Sequence, residues 1–273
     1  MDPLADKKQS FEIGLVGCGV LGENFLKQLI QSGFRKNQFI FTEKNKTRAE
    51  YISIKYNVRF ASIEEVSKCA SNVILVVKPV DSDDILNTLM RHLSKEQRII
   101  SFVAGKKTST IESHFAFKVP VLRVMPNIPI SVGVGISAIS KGKYATDEDV
   151  KAVQELLKAS GKTIVVDESL QDAVTATSGS GPAYFFRFVE AMIAGAQDLG
   201  LSESDARTMV IQTITGAAAM LNQEGANPGV LRQNVTSPNG TTYAALQVFE
   251  GGHLEGLVKR AMKAARDRSQ ELS

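Results

Sequence analysis

Along the first half of the chain, short apolar runs alternate with polar, helix-compatible segments. Residues 13–16 read as a strand and lead through Gly17-Cys18-Gly19-Val20-Leu21-Gly22 into an amphipathic helix that continues to about residue 32. Residues 38–42 read as a second strand and 47–56 as the next helix. The run Val73-Ile74-Leu75-Val76-Val77 is apolar at every position instead of at alternate ones, the pattern of a strand buried on both faces. Residues 98–103 and 119–124 supply two more strands, with 108–114 as a short helix between them, and 132–140 and 163–166 are candidates for pairing at the sheet edge or after it. Alternation of this kind predicts a parallel sheet with right-handed crossovers.

After about Gln171 the pattern changes. Residues 182–199 carry Ala183, Phe185, Phe186, Phe188, Val189, Ala191, Met192, Ile193, Ala194, Ala196 and Leu199, which puts apolar groups on nearly every face of a helix. Such a helix must be buried on all sides. About 100 residues cannot surround it unaided, so a second subunit is expected to cover it. Ser202, with Asp205 three positions on, starts another helix that runs to about residue 223, and 241–249 and 254–272 are the last two helices. The predicted fold is α/β: an N-terminal Rossmann, doubly wound, mostly parallel sheet over 1–168, followed by an all-α part over 169–273.

The chain has 273 residues, room for two domains. Its 43% hydrophobic and 22% charged residues are those of an ordinary globular protein. The net charge of +3, with no Lys/Arg run longer than two, excludes a phosphate-tracking surface and hence a nucleic-acid partner. Cys18 and Cys69 have neither CxxC spacing nor a His nearby, so no metal site or disulfide framework is expected. Residues 1–10 contain Asp2, Asp6, Lys7 and Lys8 without an apolar stretch, which reads as neither signal nor transit peptide. No apolar run approaches a membrane span. The expected location is the cytoplasm.

The chemistry-bearing motifs sit at the predicted strand ends. Gly17-x-Gly19-x-x-Gly22 follows a strand and opens a helix, the context of a dinucleotide fingerprint. Glu43 lies about 20 residues beyond the last glycine, where an acid hydrogen-bonds a ribose 2′-hydroxyl and favours NAD. Lys44, Lys46 and Arg48 follow at once and could hold the extra phosphate of NADP, or simply be a solvated helix start; the reading leans slightly to NADP, with NAD accepted alongside it. Val77-Lys78-Pro79, Ala104-Gly105 and Met125-Pro126-Asn127 end three successive strands, and carboxyl ends of parallel strands line the ligand crevice. Each is also ordinary turn chemistry. Further on, Ser178-Gly179-Ser180-Gly181-Pro182 and Asn234-Val235-Thr236-Ser237-Pro238-Asn239-Gly240-Thr241-Thr242 each place hydroxyls and glycines before an apolar helix. Free helix N–H groups and hydroxyls form an anion site for a small carboxylate, although the same residues are common caps. His92, His114 and His253 stand in no triad or metal spacing and read as surface or packing residues.

In this order the motifs resemble those of the pyrroline-5-carboxylate reductase family. The resemblance is carried by Gly17 to Gly22, Val76-Val77-Lys78-Pro79, Arg123-Val124-Met125-Pro126-Asn127, Ser178-Gly179-Ser180-Gly181-Pro182-Ala183-Tyr184, and Asn234 through Glu250. It spans about 11–272. Two departures are visible: Asn239 stands where a second Gly is common, and Thr42-Glu43-Lys44 where many relatives carry Ser-Asn-Arg. The resemblance implies a Rossmann domain, a helical dimerisation domain, and hydride transfer from NADPH or NADH to the C=N bond of L-1-pyrroline-5-carboxylate, the last step of proline biosynthesis. It also implies homodimers interlocked through the helices and a higher assembly such as a decamer. In that chemistry Ser237, Asn239, Gly240 and Thr241 hold the substrate carboxylate, Thr242 hydrogen-bonds the ring nitrogen, and Ser178, Gly179 and Ser180 form a pocket wall. Three rival readings stand beside it: a reductase of a related cyclic imino acid, a non-catalytic NAD(P) sensor of the same fold, and a 3-hydroxyacid dehydrogenase. The last needs a catalytic Lys in the helical part, and none occurs between Lys162 and Lys259.

Overall fold

The computed structural model describes residues 11–272, so the reading of 1–10 as neither signal nor transit peptide falls outside the described residues. The first part runs β1 (Phe11–Val16), α1 (Val20–Gln31), β2 (Phe39–Thr42), α2 (Lys46–Tyr56), β3 (Arg59–Phe60), α3 (Ile63–Cys69), β4 (Ala70–Leu75), α4 (Ser82–Leu89), β5 (Arg98–Ser101), α5 (Thr108–Glu112), β6 (Val121–Pro126), β7 (Gly135–Lys141), α6 (Asp147–Leu157), β8 (Gly161–Val165) and α7 (Gln171–Val174). The helical part continues through α8 (Gly181–Asp198), α9 (Glu203–Leu221), α10 (Pro228–Asn234), α11 (Thr241–Gly251) and α12 (Leu254–Glu271).

The strands form one sheet in the order β3-β2-β1-β4-β5-β6-β7-β8. All neighbours are parallel except β6 and β7, which are antiparallel. Side-chain alternation builds a core on each face. Ile13, Leu15, Phe39, Phe41 and Ile74 join Phe25, Leu26 and Leu29 of α1 on one side. Phe11, Ile40, Val73 and Leu75 join Val66 and Leu86 on the other. This is the doubly wound arrangement expected from the buried-strand pattern. The candidates at 132–140 and 163–166 pair with each other as β7 and β8. Residues 128–132 form a 3₁₀ turn instead of strand, and β7 begins only at Gly135, where a Cβ would lie 2.4 Å from Ile130 Cγ2. β4 starts earlier than its apolar run and ends at Leu75, before Val76 and Val77.

Of the described residues, 11–180 with 266–272 form one compact unit, and Gly181–Ala265 form the other. The expected helix opening at Ser178 is corrected here. The chain is already helical in α7 and passes through a π-helical turn over Thr175–Gly179 before α8. Ser180 N donates to Thr175 O (2.8 Å) and Ser178 Oγ to Val174 O (3.1 Å), so this run does not offer a free helix start. Within the second unit Phe188 and Phe249 stack with ring centroids 6.3 Å apart. The single chain does not bury α8: Phe185 is 63% and Phe186 61% exposed, with Phe188, Met192, Met209 and Val248 also open. Each such side chain gains about 1.5–3 kcal/mol on full burial, so a partner surface is strongly favoured.

Wild-type protein should therefore sediment as a dimer or larger. Phe186→Asp, which would leave an unpaired carboxylate in an apolar interface, should yield monomer or precipitate. A wild type that sediments as a monomer contradicts this.

Candidate active site

Where β1 turns into α1, three glycines have different reasons to be glycine. Gly17 has φ +91°, and a Cβ there would lie 2.5 Å from Val76 O. Its N–H donates to Thr42 O (3.0 Å), while Val76 N donates to Val16 O (2.8 Å), so β1, β2 and β4 converge on this residue. A Cβ on Gly22 would lie 2.6 Å from Gly17 O. Gly17 and Gly22 are thus required by the chain's own close packing. Gly19 is not: a Cβ there would meet nothing within 4 Å. It is the N-cap of α1 and supplies no side-chain cap, which leaves the first-turn N–H groups and the helix dipole facing outward.

Beside this turn lies a cavity of about 650 Å³, lined among others by Gly17, Gly19, Glu43, Lys44, Val77 and Lys78. It sits at the carboxyl ends of β1, β2 and β4, where the strand order reverses direction. The open space above Gly19 and the outward amides fit a dinucleotide pyrophosphate. Cys18 and Leu21, also expected at the cofactor, do not line the cavity. Leu21 packs on the core, and Cys18 is fully buried, with burial pushing its thiol up to about 12. Val20 is exposed beside the turn.

Glu43 is held by two backbone donors: Cys18 N to Oε2 (2.8 Å) and Asn45 N to Oε1 (3.0 Å). Lys44 Nζ lies 3.4 Å from Asp81 Oδ1. Arg48, offered by the sequence as a phosphate ligand, is used elsewhere: Nε donates to Cys18 O (3.1 Å) and Nη2 pairs with Glu23. Glu23 also accepts from Tyr56 Oη (2.8 Å) and Lys55 Nζ (2.9 Å). Burial alone would push the Glu23 carboxyl up, but the Lys55 and Tyr56 hydrogen bonds and the Arg48 charge outweigh it and hold the group below the ordinary value.

Pro79 opens a short 3₁₀ turn, Ala104 is exposed, and Gly105 has φ +73°. Met125 and Pro126 end β6, and Asn127 Oδ1 accepts from Ile136 N (2.9 Å), which fixes the next turn. These residues follow the carboxyl edge beyond the cavity. A Cβ on Gly179 would lie 3.0 Å from Met125 Cε, so the π-helical turn rests against that edge.

In the second unit, α11 also has a glycine N-cap, Gly240, without a side-chain cap. Asn239 takes φ +57°, and Gly240 N donates to Ser237 O (3.0 Å), which turns the chain tightly into the helix. A Cβ on Gly240 would lie 2.5 Å from Ser237 Oγ, so only glycine leaves this hydroxyl its place. Thr236 Oγ1 is taken up by Arg232 O (2.6 Å). Ser237, Thr241 and Thr242 follow with hydroxyls that are not consumed by such bonds to the helix before them. Sequence reasoning missed Ile63, Asp81, Asp84 and Ile85 on the cavity wall. The acidic run Asp81-Ser82-Asp83-Asp84 directly after Lys78-Pro79 was the available signal.

Strand order, cradle and cavity place the chain in the class of nicotinamide-dinucleotide oxidoreductases. A family model described as NADP oxidoreductase, coenzyme F420-dependent, matches 12–105, and one described as pyrroline-5-carboxylate reductase dimerisation matches 168–272. The pyrroline-5-carboxylate reductase of Arabidopsis thaliana is 38% identical, covering 100% of this chain and 99% of its own length. A solved pyrroline-5-carboxylate reductase from Coxiella burnetii superposes with a TM-score of 0.92 at 31% identity, covering 97% of this chain and 99% of that one. A Plasmodium falciparum pyrroline carboxylate reductase solved with NADP bound gives 0.84 at 26% identity, over 96% and 98%. The chain belongs to the pyrroline-5-carboxylate reductase family and is an NAD(P)-dependent oxidoreductase.

The different roles of the glycines are separable by mutation. Gly19→Asp should abolish NAD(P)H binding in a fluorescence titration while the melting temperature stays within about 3 °C. Gly17→Ala should lower the melting temperature by about 5 °C or more, because positive φ and a backbone clash act together. Unchanged affinity in Gly19→Asp contradicts the cradle.

Proposed function

We propose that the chain reduces L-1-pyrroline-5-carboxylate to L-proline with NADPH or NADH. The observation that carries the substrate side is the glycine-capped, outward-facing start of α11 next to the Ser237 and Thr242 hydroxyls. It supplies neutral donors without Arg or Lys, which suits a small carboxylate whose ring nitrogen already carries positive charge.

A cyclic imine is basic enough to be bound as its iminium. The protein therefore needs no strong acid at the reacting centre, and what it must supply is orientation and exclusion of water. The reduced nicotinamide supplies the hydride when bound. The amides of Thr241 and Thr242, with Ser237 Oγ, hold the substrate carboxylate. The Thr242 hydroxyl accepts the iminium N–H, which keeps the imine carbon turned to one face. Hydride adds to that carbon, the C=N electron pair returns to nitrogen, and the product is the secondary amine. Ser178, Gly179 and Ser180 form the wall beside Met125, and Ala104, Gly105, Pro126 and Asn127 continue the cofactor groove. Neutral hydroxyls remain in the same protonation state across physiological pH, so this part of the site does not switch.

In this reading 1–168 is the cofactor-binding part and 169–273 the dimerisation and substrate part. The protein works as a homodimer, with a larger ring such as a decamer built from dimers, in the cytoplasm. Among the described residues no helix is long and apolar enough to cross a membrane.

Thr242→Ala separates a purely structural place in the first turn of α11 from catalysis. The N-cap of α11 is Gly240, so loss of the Thr242 hydroxyl without a substrate contact would leave the rate unchanged. Loss of the nitrogen contact should lower kcat/KM about tenfold or more, each ~1.4 kcal/mol of transition-state binding being a factor of ten. Thr242→Ser should recover most of the activity. Wild-type kinetics in Thr242→Ala would remove the proposed role.

A further inference from the structure

We propose that the turn between β2 and α2 makes this chain bind NADH more tightly than NADPH, with Glu43 as the specificity-determining residue. The inference rests on the reductase reading above and concerns the ribose end of the same cofactor.

Glu43 stands on the cavity wall immediately after β2. Its two oxygens are each fixed by a backbone N–H, one from the glycine turn and one from the start of α2. The carboxylate therefore cannot rotate away from an arriving group without breaking both hydrogen bonds. Its remaining lone pairs can accept from ribose hydroxyls, which is favourable for a free 2′-hydroxyl. A 2′-phosphate brings about −1.5 to −2 charge at pH 7 against a carboxylate that has nowhere to go.

Of the basic residues that follow Glu43, Lys44 and Lys46 are exposed at the start of α2 and only Arg48 is committed to the turn itself. Arg48 is turned toward Glu23 and the Cys18 carbonyl. Because the peptide is trans, pulling Cys18 C=O toward Arg48 sends the Gly19 N–H the opposite way, so Arg48 serves the shape of the turn. Lys44 faces Asp81 at 3.4 Å, and Lys78, Asp84 and Glu43 also line the cavity. Three carboxylates thus oppose two ammonium groups around the cavity. The wall therefore carries a net negative charge, and the Lys44–Asp81 pair, whose lysine side chain is 90% exposed, is a weak one.

The test is a direct titration of the full-length protein with NADH and with NADPH, followed by nicotinamide fluorescence, on wild type, Glu43→Gln and Lys44→Ala. Wild type should bind NADH about tenfold or more tightly than NADPH. Glu43→Gln keeps an oxygen acceptor and removes the charge, so it should raise NADPH affinity severalfold and narrow the ratio. Lys44→Ala should weaken both dinucleotides alike. NADPH binding as tightly as NADH in wild type overturns the selectivity and leaves the reductase reading intact. So does a selective loss of about tenfold in NADPH affinity on Lys44→Ala, which would make Lys44 a phosphate ligand. Failure of wild type to bind either dinucleotide overturns both readings. Wild type and Lys44→Ala decide the matter even if Glu43→Gln does not fold.

Discussion

The close approach of β1 and β4 at Gly17 governs the rest of the nucleotide half. With φ +91° and Val76 O where a Cβ would be, the backbone has one way to leave the sheet. That exit aims the start of α1 over the carboxyl ends of β1 and β4 and seats Gly22 on Gly17 O. The cavity, the outward amides and the position of Glu43 all follow from it, because Glu43 is anchored to the same turn through Cys18 N. The buried strands Val73–Leu75 and Ile13–Val16 hold the arrangement rigid from below.

Helix starts in the chain differ, and α4, α5 and α7 begin without a side-chain cap and without glycine. α2, α3, α6, α9 and α10 carry Asn45, Ser62, Thr146, Ser202 and Asn227 as N-caps, and each side chain accepts a first-turn N–H. α1 and α11 carry glycine and no side-chain cap. A capping side chain would occupy the space an anion needs, and glycine in its place costs only roughly a few tenths of a kcal/mol relative to a good cap. In the proposed reading α1 and α11 are the helices that meet the pyrophosphate and the substrate carboxylate, and a bound anion would supply the missing partner.

Much of this was legible in the residues. The glycine turn, the fully apolar central strand and the Ser202 start announced themselves through local chemistry that tertiary contacts did not override. Other features were not local. β3 is two residues long and exists only because it pairs with Ile40 and Phe41 of β2. The π-helical turn was hidden because Ser178-Gly179-Ser180-Gly181-Pro182 has the composition of a break, whereas Pro182 sits in the first turn of α8, where its missing N–H does no harm. Arg48 looked like a phosphate ligand by position, and only the fold brings Glu23, 25 residues away, to claim it. The apolar surround of α8 pointed correctly beyond one chain, since a single chain leaves its phenylalanines exposed.

The central claim is that the chain uses the dinucleotide at its glycine turn to reduce an imine to an amine. The most direct measurement adds L-1-pyrroline-5-carboxylate to the protein with NADH or NADPH and follows loss of reduced-nicotinamide absorbance while L-proline is quantified. The account predicts oxidation of the dinucleotide with an equimolar appearance of L-proline. A protein that binds the dinucleotide in titration yet oxidises none of it in the presence of this imine would contradict the account.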